Sequence, residues 1–143
     1  MNSLVKNRQI LPTMNNDDVL KVTLLAEEAR KIPQVKIDIS HSLHAGVYAR
    51  TAKVPGGVMI TGVLIKIPTL LIVVGDCLVY IGERAYPLVG HHVLEAEAHR
   101  KQVFVANKDT SITMMFSTKA KTINEAEEEF TDEFDKLQSR YLK

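Results

Sequence analysis

The side chains best suited to metal-binding or acid–base chemistry in this sequence are its five histidines. His41 and His44 are three residues apart, which would place both rings on one face of a helix. The alternation of apolar and polar residues just before them indicates strand and loop instead. His91 and His92 are adjacent, so on a strand they face opposite sides and cannot line one cavity. We predict surface or hydrogen-bonded histidines, with a metal enzyme built on an unfamiliar histidine set as an alternative.

The other reactive side chains do not form a nucleophile arrangement. His99, Arg100 and Lys101 follow one another and are predicted to lie in a solvated basic turn. Cys77 lies among apolar residues, which predicts a buried and inert thiol. The carboxylates of residues 127–129 and their continuation belong to a helical segment, where a solvated face is expected. Phosphate-binding loops and dinucleotide fingerprints are absent. The sequence therefore predicts no catalytic residue.

Length and composition limit the class of protein. The chain has 143 residues, 45% of them hydrophobic and 24% charged, with a net charge of +1. This profile predicts one soluble domain without the basic surface that nucleic acids need. The single cysteine excludes an intrachain disulfide, and a reducing compartment fits. The first residues lack a continuous apolar segment, so no secretory signal is predicted.

The elements that must position these groups are organised around the apolar run 58–74. It is rich in β-branched residues, which favour half-buried strands. We predict two strands, over about 58–67 and 70–74, with a bend at Pro68 and a turn at Gly75-Asp76. The run is too short for a membrane span and contains Lys66, so no membrane partner is predicted.

The flanking sequence has a period of two from Val35 to Phe116. Pro55-Gly56-Gly57 is predicted to be a turn, and Gly82-Glu83-Arg84 a hairpin turn. Short strands with turns every eight to twelve residues indicate a β-sandwich or barrel. The predicted strands, besides the central two, are 35–39, 47–54, 77–81, 85–89, 92–96, 102–105 and 111–116.

A helix is predicted on the N-terminal side, after an arm formed by residues 1–14. Asn15 and the acidic residues that follow are typical of a helix start, and Pro33 marks its end, so the helix covers about 17–31. We expect its apolar side to pack on its own domain, and a partner surface is the alternative. That side is formed by Leu20, Val22, Leu24, Leu25, Ala26 and Ala29.

A second helix is predicted at the C-terminal end. Thr122 and Glu125 fit a capping box, in which each side chain satisfies a free backbone amide of the first turn. One apolar stripe at helical spacing follows. We expect this stripe to pack either on the sheet or on a second copy of the chain. The stripe consists of Ile123, Ala126, Phe130, Phe134, Leu137 and Tyr141.

The middle of the chain resembles small cupin-like proteins, many of them encoded by bacteriophages. The resemblance covers about residues 33–130 and lies in the order and spacing of several short motifs. It implies a mainly β fold, a cupin-like double-sheet jelly-roll barrel with an N-terminal and a C-terminal helix, and frequent homo-oligomers. The motifs are HSLHAGVYART (41–51), KVPGGVMITG (53–62), VVGD (73–76), GHHVL (90–94) and VANKDT (105–110). The implied divisions are 1–34 for the arm and helix, 35–118 for the barrel and 119–143 for the C-terminal helix.

The resemblance also implies where a cupin metal site would lie. With the Thr61-Gly62 and Gly75-Asp76 motifs as fixed points, the ligand histidines of metal-binding cupins fall at Ile65, Thr69 and Asn107. Isoleucine cannot bind a metal, and the hydroxyl and amide oxygens are weak donors. We therefore predict a degenerate site with no metal and no cofactor.

Two residues near the implied barrel mouth are candidate ligand contacts. Tyr48 and Arg50 lie on a predicted strand, and Arg50 would bind an anionic group or pair with an acid. Asn107 is the third candidate. An apolar pocket lined by Ile65, Leu71 and Met115 would hold the ligand.

The function expected from these features is a non-catalytic, metal-free, cupin-like structural or interaction module that is homo-oligomeric. Its specific form would be a phage virion component, located in the virion or the host cytoplasm. The alternative is a small-molecule-binding protein or a metal-independent cupin-type enzyme. Self-association is the expected partnership, and other protein partners are open.

Overall fold

The computed structural model describes residues 9–141. Residues 1–8 of the predicted arm, residues 142–143 and the side chain of Tyr141 lie outside the described part. The protein is mainly β, as predicted. The elements are β1 (Gln9–Leu11), α1 (Asn16–Ala29), β2 (Asp38–His44), β3 (Val47–Val54), β4 (Met59–Thr61), β5 (Thr69–Ile81), β6 (Arg84–Ala96), β7 (Val103–Ala106), β8 (Thr110–Ser117), α2 (Ile123–Phe130), a 3₁₀ turn (Phe134–Lys136) and α3 (Gln138–Tyr141).

The barrel is built around the long antiparallel hairpin of β5 and β6, whose two-residue turn at Gly82-Glu83 confirms the predicted hairpin. The main path of the sheet runs in the order β1-β6-β5-β8-β3-β2, while β7 pairs with the second half of β5 and carries β4. The hairpin therefore belongs to both walls of the barrel: β5 pairs with β8 in one wall and with β7 in the other. This arrangement confirms the predicted double-sheet jelly-roll barrel. β3 has the predicted bounds because its alternating residues lie between two turns.

β5 does not end at Gly75-Asp76, so the prediction of a turn there was wrong. Before this point β5 pairs with β8, and after it β5 pairs with β7. Gly75 lies at the corner with a φ of 147°, and a Cβ there would be 2.5 Å from Thr110 Oγ1 and 2.7 Å from the Asp109 carbonyl oxygen. Glycine is needed because the strand bends from one wall to the other against the start of β8.

The predicted strand 58–67 was too long. Only Met59–Thr61 pair with β7, and the crossover segment 62–68 follows. Its amides bond to groups outside the named strands. Gly62 N–H donates to the Gln102 carbonyl, and Ile65 forms an isolated bridge with Arg100. Leu64 N–H donates to Glu133 Oε1 at 2.7 Å. These long-range bonds replace a regular ladder.

α1 begins as predicted, with the Asn15 side chain accepting from the Asp18 amide. The packing face differs from the prediction. Ala26 is the buried residue of this helix, whereas Leu20 and Leu24 are 55% and 52% exposed. The predicted arm was partly wrong too, because Gln9–Leu11 pair in parallel with β6.

The C-terminal segment is helical in pieces, so the prediction of one continuous helix was wrong. The capping box is present: Thr122 Oγ1 accepts from the Glu125 amide, and Glu125 accepts from the Lys121 amide. α2 ends at Phe130 because Thr131 turns away and donates its hydroxyl to the Leu64 carbonyl at 2.7 Å. The stripe still faces inward through the buried residues Ala126, Phe130 and Leu137.

The core lies between the two walls and is closed by α2. Tyr48, Phe116 and Phe130 form an aromatic cluster, with the Tyr48 and Phe116 rings 5.5 Å apart and the Tyr48 and Phe130 rings 6.3 Å apart. None of the helices in residues 9–141 has the length and apolar character of a membrane span.

Candidate functional site: a cavity in the barrel

A cavity of about 460 Å³ lies inside the barrel. This volume is within the range of small-molecule sites, roughly 300–1,000 Å³. The inner faces of β3, β5, β7 and β8 provide its apolar wall. The wall residues include Ala52, Ile65, Leu71, Phe104, Ile112, Met114 and Phe130.

The predicted pocket residues Ile65 and Leu71 line this cavity, but Met115 does not. Met114 takes that place, because on β8 the buried residues are the even-numbered ones. A one-residue error in register moves a side chain to the other face of a strand. Met115 therefore lies on the outer face.

The segment 30–37, which follows α1, lines one side of the cavity. Gln138, at the start of α3, holds this segment in place by two hydrogen bonds. Its Nε2 donates to the Val35 carbonyl at 2.9 Å, and its Oε1 accepts from the Ile37 amide at 2.6 Å. The Gln138 side chain therefore connects the segment after α1 to the C-terminal segment.

The charged residues of the cavity wall are all basic. No Asp or Glu belongs to the wall as the described residues form it. Two carboxylates outside the wall, those of Glu127 and Glu133, pair with three of these cations. The basic residues are Arg30, Arg50, Arg100, Lys101 and Lys136.

Arg50 is neutralised by a buried carboxylate. Its Nη1 donates to Glu127 Oε2 at 2.8 Å, and Arg140 Nε donates to Glu127 Oε1 at 2.9 Å. The Glu127 side chain is 3% exposed and the Arg50 side chain 12%. Of the two roles predicted for Arg50, the structure shows the pairing with an acid.

Lys101 is neutralised in the same way, by Glu133 at 3.2 Å. Burial alone would raise the pKa of Glu133, but hydrogen bonds from the Leu64 amide and from Lys101 outweigh it and hold the pKa below its usual range. Lys136 also donates to this carboxylate, at 3.3 Å. Glu133 therefore remains ionised near neutral pH and balances the charge of Lys101.

Arg100 differs from both, because its described partners are neutral oxygens. Nη1 donates to the Glu97 carbonyl at 2.7 Å, and Nη2 donates to Thr69 Oγ1 at 2.6 Å. Nε has no hydrogen-bond partner although it is buried. Burial lowers the pKa of Arg100 to about 10, so the guanidinium is still charged at neutral pH.

The prediction of a solvated basic turn at residues 99–101 was wrong. Arg100 is 1% exposed and Lys101 is 3% exposed. Apart from the Glu97 carbonyl, the acceptors come from segments distant in sequence, such as Thr69 for Arg100 and Glu133 for Lys101. The local pattern therefore did not reveal the burial. One signal was available: residues 97–101 contain no Gly, Pro, Asn, Asp or Ser, the residues that mark exposed turns.

Of the three predicted ligand contacts, Tyr48 and Arg50 lie together against the Phe130 ring, and Asn107 lies apart from them. Arg50 lies on the cavity wall. Tyr48 is fully buried behind it, and its hydroxyl is 2.7 Å from His41 Nδ1. Burial raises the pKa of Tyr48; burial and the charge of Arg50 lower the pKa of His41. Asn107 is exposed between β7 and β8, where it donates to Asp76 at 3.1 Å.

The three positions implied for metal ligands also lie in different surroundings. Ile65 lines the cavity, Thr69 is buried against Arg100, and Asn107 lies in the loop between β7 and β8. Throughout residues 9–141, no group of three His, Cys, Asp or Glu side chains could hold a metal ion. Cys77 is fully buried, and burial raises the pKa of its thiol, which makes it unreactive.

This geometry, a jelly-roll barrel with a cavity between its walls, defines a cupin-like fold. A cupin superfamily protein from Desulfitobacterium hafniense has a similar structure, with a TM-score of 0.50, 12% identity, and coverage of 61% of this chain and 82% of that chain. A protein from Photorhabdus luminescens is similar with a TM-score of 0.51 and 15% identity, over 65% of this chain and 84% of that chain. No family model matches the sequence, and a search of curated proteins found no relative.

Proposed function

We propose that the protein binds a small molecule inside the barrel. The observation that carries this proposal is the cavity of about 460 Å³ between the walls. A barrel that served only as a scaffold would be expected to fill its interior with side chains, because protein cores are close-packed. The apolar wall and the few polar groups are typical of ligand sites. A metal-independent enzyme would use the same cavity, but the proposal includes no catalytic step.

Filling the cavity is expected to abolish binding. Ala52 lies on the inner face of β3 and contributes to the cavity wall. Ala52→Phe places a ring in the cavity. The neutral apolar probe N-phenyl-1-naphthylamine should show enhanced fluorescence when the wild type binds it. At equal concentration, the variant should give a signal at least about tenfold lower. At a protein concentration well below the dissociation constant, a tenfold lower signal means a tenfold weaker affinity, or about 1.4 kcal/mol of binding free energy.

Ala49→Phe is the matched control for this experiment. Ala49 is on the same strand but on the outer face, where it pairs with Met115, so the control adds the same ring outside the barrel. Probe binding should remain at the wild-type level. Failure of the wild type to bind the probe, or equal loss in both variants, would contradict the proposal.

A second candidate function, self-association as a structural module, is favoured by an exposed apolar patch on the outer face of the sheet. Leu70 and Val74 on β5 and Val93 on β6 are 44%, 47% and 49% exposed. Ile72 pairs with Val93, and Leu70 pairs with Met115, so the patch continues across three strands. A sheet face turned to water is usually polar, and a second copy of the chain would cover this one. A role in a phage virion would follow from such assembly and stays a prediction.

Charging the patch is expected to prevent this association. Val93→Lys places an ammonium at its centre, whereas Val89→Lys, at a residue 63% exposed on the same strand, charges a site outside it. Light scattering coupled to size-exclusion chromatography should give a multimer for the wild type and Val89→Lys, and a monomer for Val93→Lys. A wild-type monomer at high concentration would contradict this candidate.

A further inference from the structure

One wall of the barrel ends in a strand that has a neighbour on one side only. β2 is the last strand in the path β1-β6-β5-β8-β3-β2, and within the described residues it pairs with β3 alone. The two strands are joined by the two-residue turn Ala45-Gly46, so His44 and Val47 form a hydrogen-bonded pair. Hydrogen-bonded pairs alternate along the ladder, so every second residue of β2 turns its backbone N–H and C=O away from β3. These residues are Ile39, His41 and Leu43.

The outward backbone groups of β2 form an unpaired edge. No hydrogen bond from residues 9–141 reaches them on the side away from β3. An exposed edge invites pairing with another chain, and proteins usually protect such edges with lysine, proline or a bulge. β2 contains no lysine or proline between Asp38 and His44, and it pairs residue by residue with β3 without a bulge. The edge is therefore suited to accept a further strand.

We propose that β2 pairs antiparallel with β2 of a second copy of the chain, about a twofold axis at His41. The sequence of this strand, DISHSLH, is complementary to itself when it is reversed about His41. Asp38 then faces His44 of the second copy, so a carboxylate meets an imidazole at both ends of the contact. The outward residues of the two copies form the hydrogen-bonded pairs. The apolar pair is Ile39 with Leu43, and the small polar pair is Ser40 with Ser42.

Other registers lose this complementarity. With the axis at Ser40, Ile39 would face His41 and Asp38 would face Ser42. With the axis at Ser42, His41 would face Leu43, and Asp38 would lie beyond the paired residues. Both arrangements place an apolar side chain opposite an imidazole and leave the carboxylate without the histidine. A peptide from another protein would require no such match within β2, which is why a second copy is the partner we infer.

The edge contact is small, and the proposal rests on the self-association proposed above. β2 has seven residues, whereas a stable interface has roughly 20–30 residues a side. Pairing of β2 alone would therefore not hold two copies together during chromatography, and it adds a second contact to the one at the apolar patch. The patch lies on β5, β6 and β8, and the edge lies beyond β3 in the same path. Two separate twofold contacts join more than two copies.

Disulfide cross-linking between two cysteine variants tests the register. Ser40 and Ser42 are exposed on β2, and in the proposed register each faces the other across the axis. They form a non-hydrogen-bonded pair with Cα atoms about 4.5 Å apart, which is within disulfide range. Mild oxidation of an equimolar mixture of Ser40→Cys and Ser42→Cys should give a linked dimer at least about tenfold faster than either variant alone at the same total concentration. Cys77 is fully buried and should not take part.

The outcomes separate the edge from the patch. Faster linking of Ser40→Cys alone, or of Ser42→Cys alone, would overturn this register, and equal rates in all three samples would overturn specific pairing of β2. If the wild type is a multimer by light scattering but the mixture links no faster, pairing of β2 fails and self-association stands. If the wild type is a monomer and the mixture links no faster, both proposals fail.

Discussion

Replacing Gly75 by alanine is expected to lower the free energy of unfolding by at least about 3 kcal/mol. An added Cβ would lie within 2.7 Å of the Asp109 carbonyl oxygen and the Thr110 Cα. Backbone atoms cannot rotate aside as a flexible side chain can, and overpacking typically costs about 1–3 kcal/mol. The backbone conformation, with a φ of 147°, adds strain that only glycine avoids. Urea denaturation followed by circular dichroism measures the change.

Gly90→Ala is the matched control. Gly90 pairs directly with Gly75 across the β5–β6 hairpin and also has a positive φ, of 90°, but nothing lies within 4 Å of its added Cβ. This variant should lose only the conformational part, about 1–2 kcal/mol. If Gly75→Ala costs no more than Gly90→Ala, the close approach of β8 is not what requires glycine at the corner.

Replacing Glu127 by glutamine is expected to cost about 3–5 kcal/mol, the range observed when one partner of a buried ion pair is removed. Glutamine keeps the shape and one acceptor, but it leaves Arg50 charged at a site where its side chain is only 12% exposed. Arg140 loses the same partner. Thermal and chemical denaturation should both show the loss.

Two further variants separate the buried pair from surface charge. Glu128→Gln removes a carboxylate from the next position in α2, where the side chain is 49% exposed and also contacts Arg140, and it should change stability by about 0.5 kcal/mol or less. The double variant Arg50→Met, Glu127→Leu removes the charges of both partners and should recover part of the loss. A double variant less stable than Glu127→Gln would contradict the account based on an unpaired charge.

Much of the barrel could be predicted from local sequence. β3 lies where period-two alternation ends at Pro55, and the turn at Gly82-Glu83 joins the two longest strands. The caps at Asn15 and Thr122 are also as predicted. Each of these features depends on residues within one turn of a helix or on one pair of neighbouring strands, which is why a single stretch of sequence is sufficient.

The residues at which strands and helices end were less predictable, because contacts with distant segments determine them. Gly75 and Asp76 look like a turn in sequence, but β8 and β7 both pair with β5 around this point and continue the strand through it. The apolar stripe after Phe130 favours a continuous helix. Thr131 instead bonds to the Leu64 carbonyl, and α2 ends.

The composition and alternation of the sequence predicted a mainly β sandwich or barrel with an apolar interior, since the pattern of faces along a strand is a local property. They did not establish which charges that interior contains. Arg100 is a buried charge only in the folded chain, where oxygens of Ile67, Thr69 and Glu97 surround its guanidinium. Burial of a charge depends on which remote segments cover it, and no local period in a single sequence carries that information.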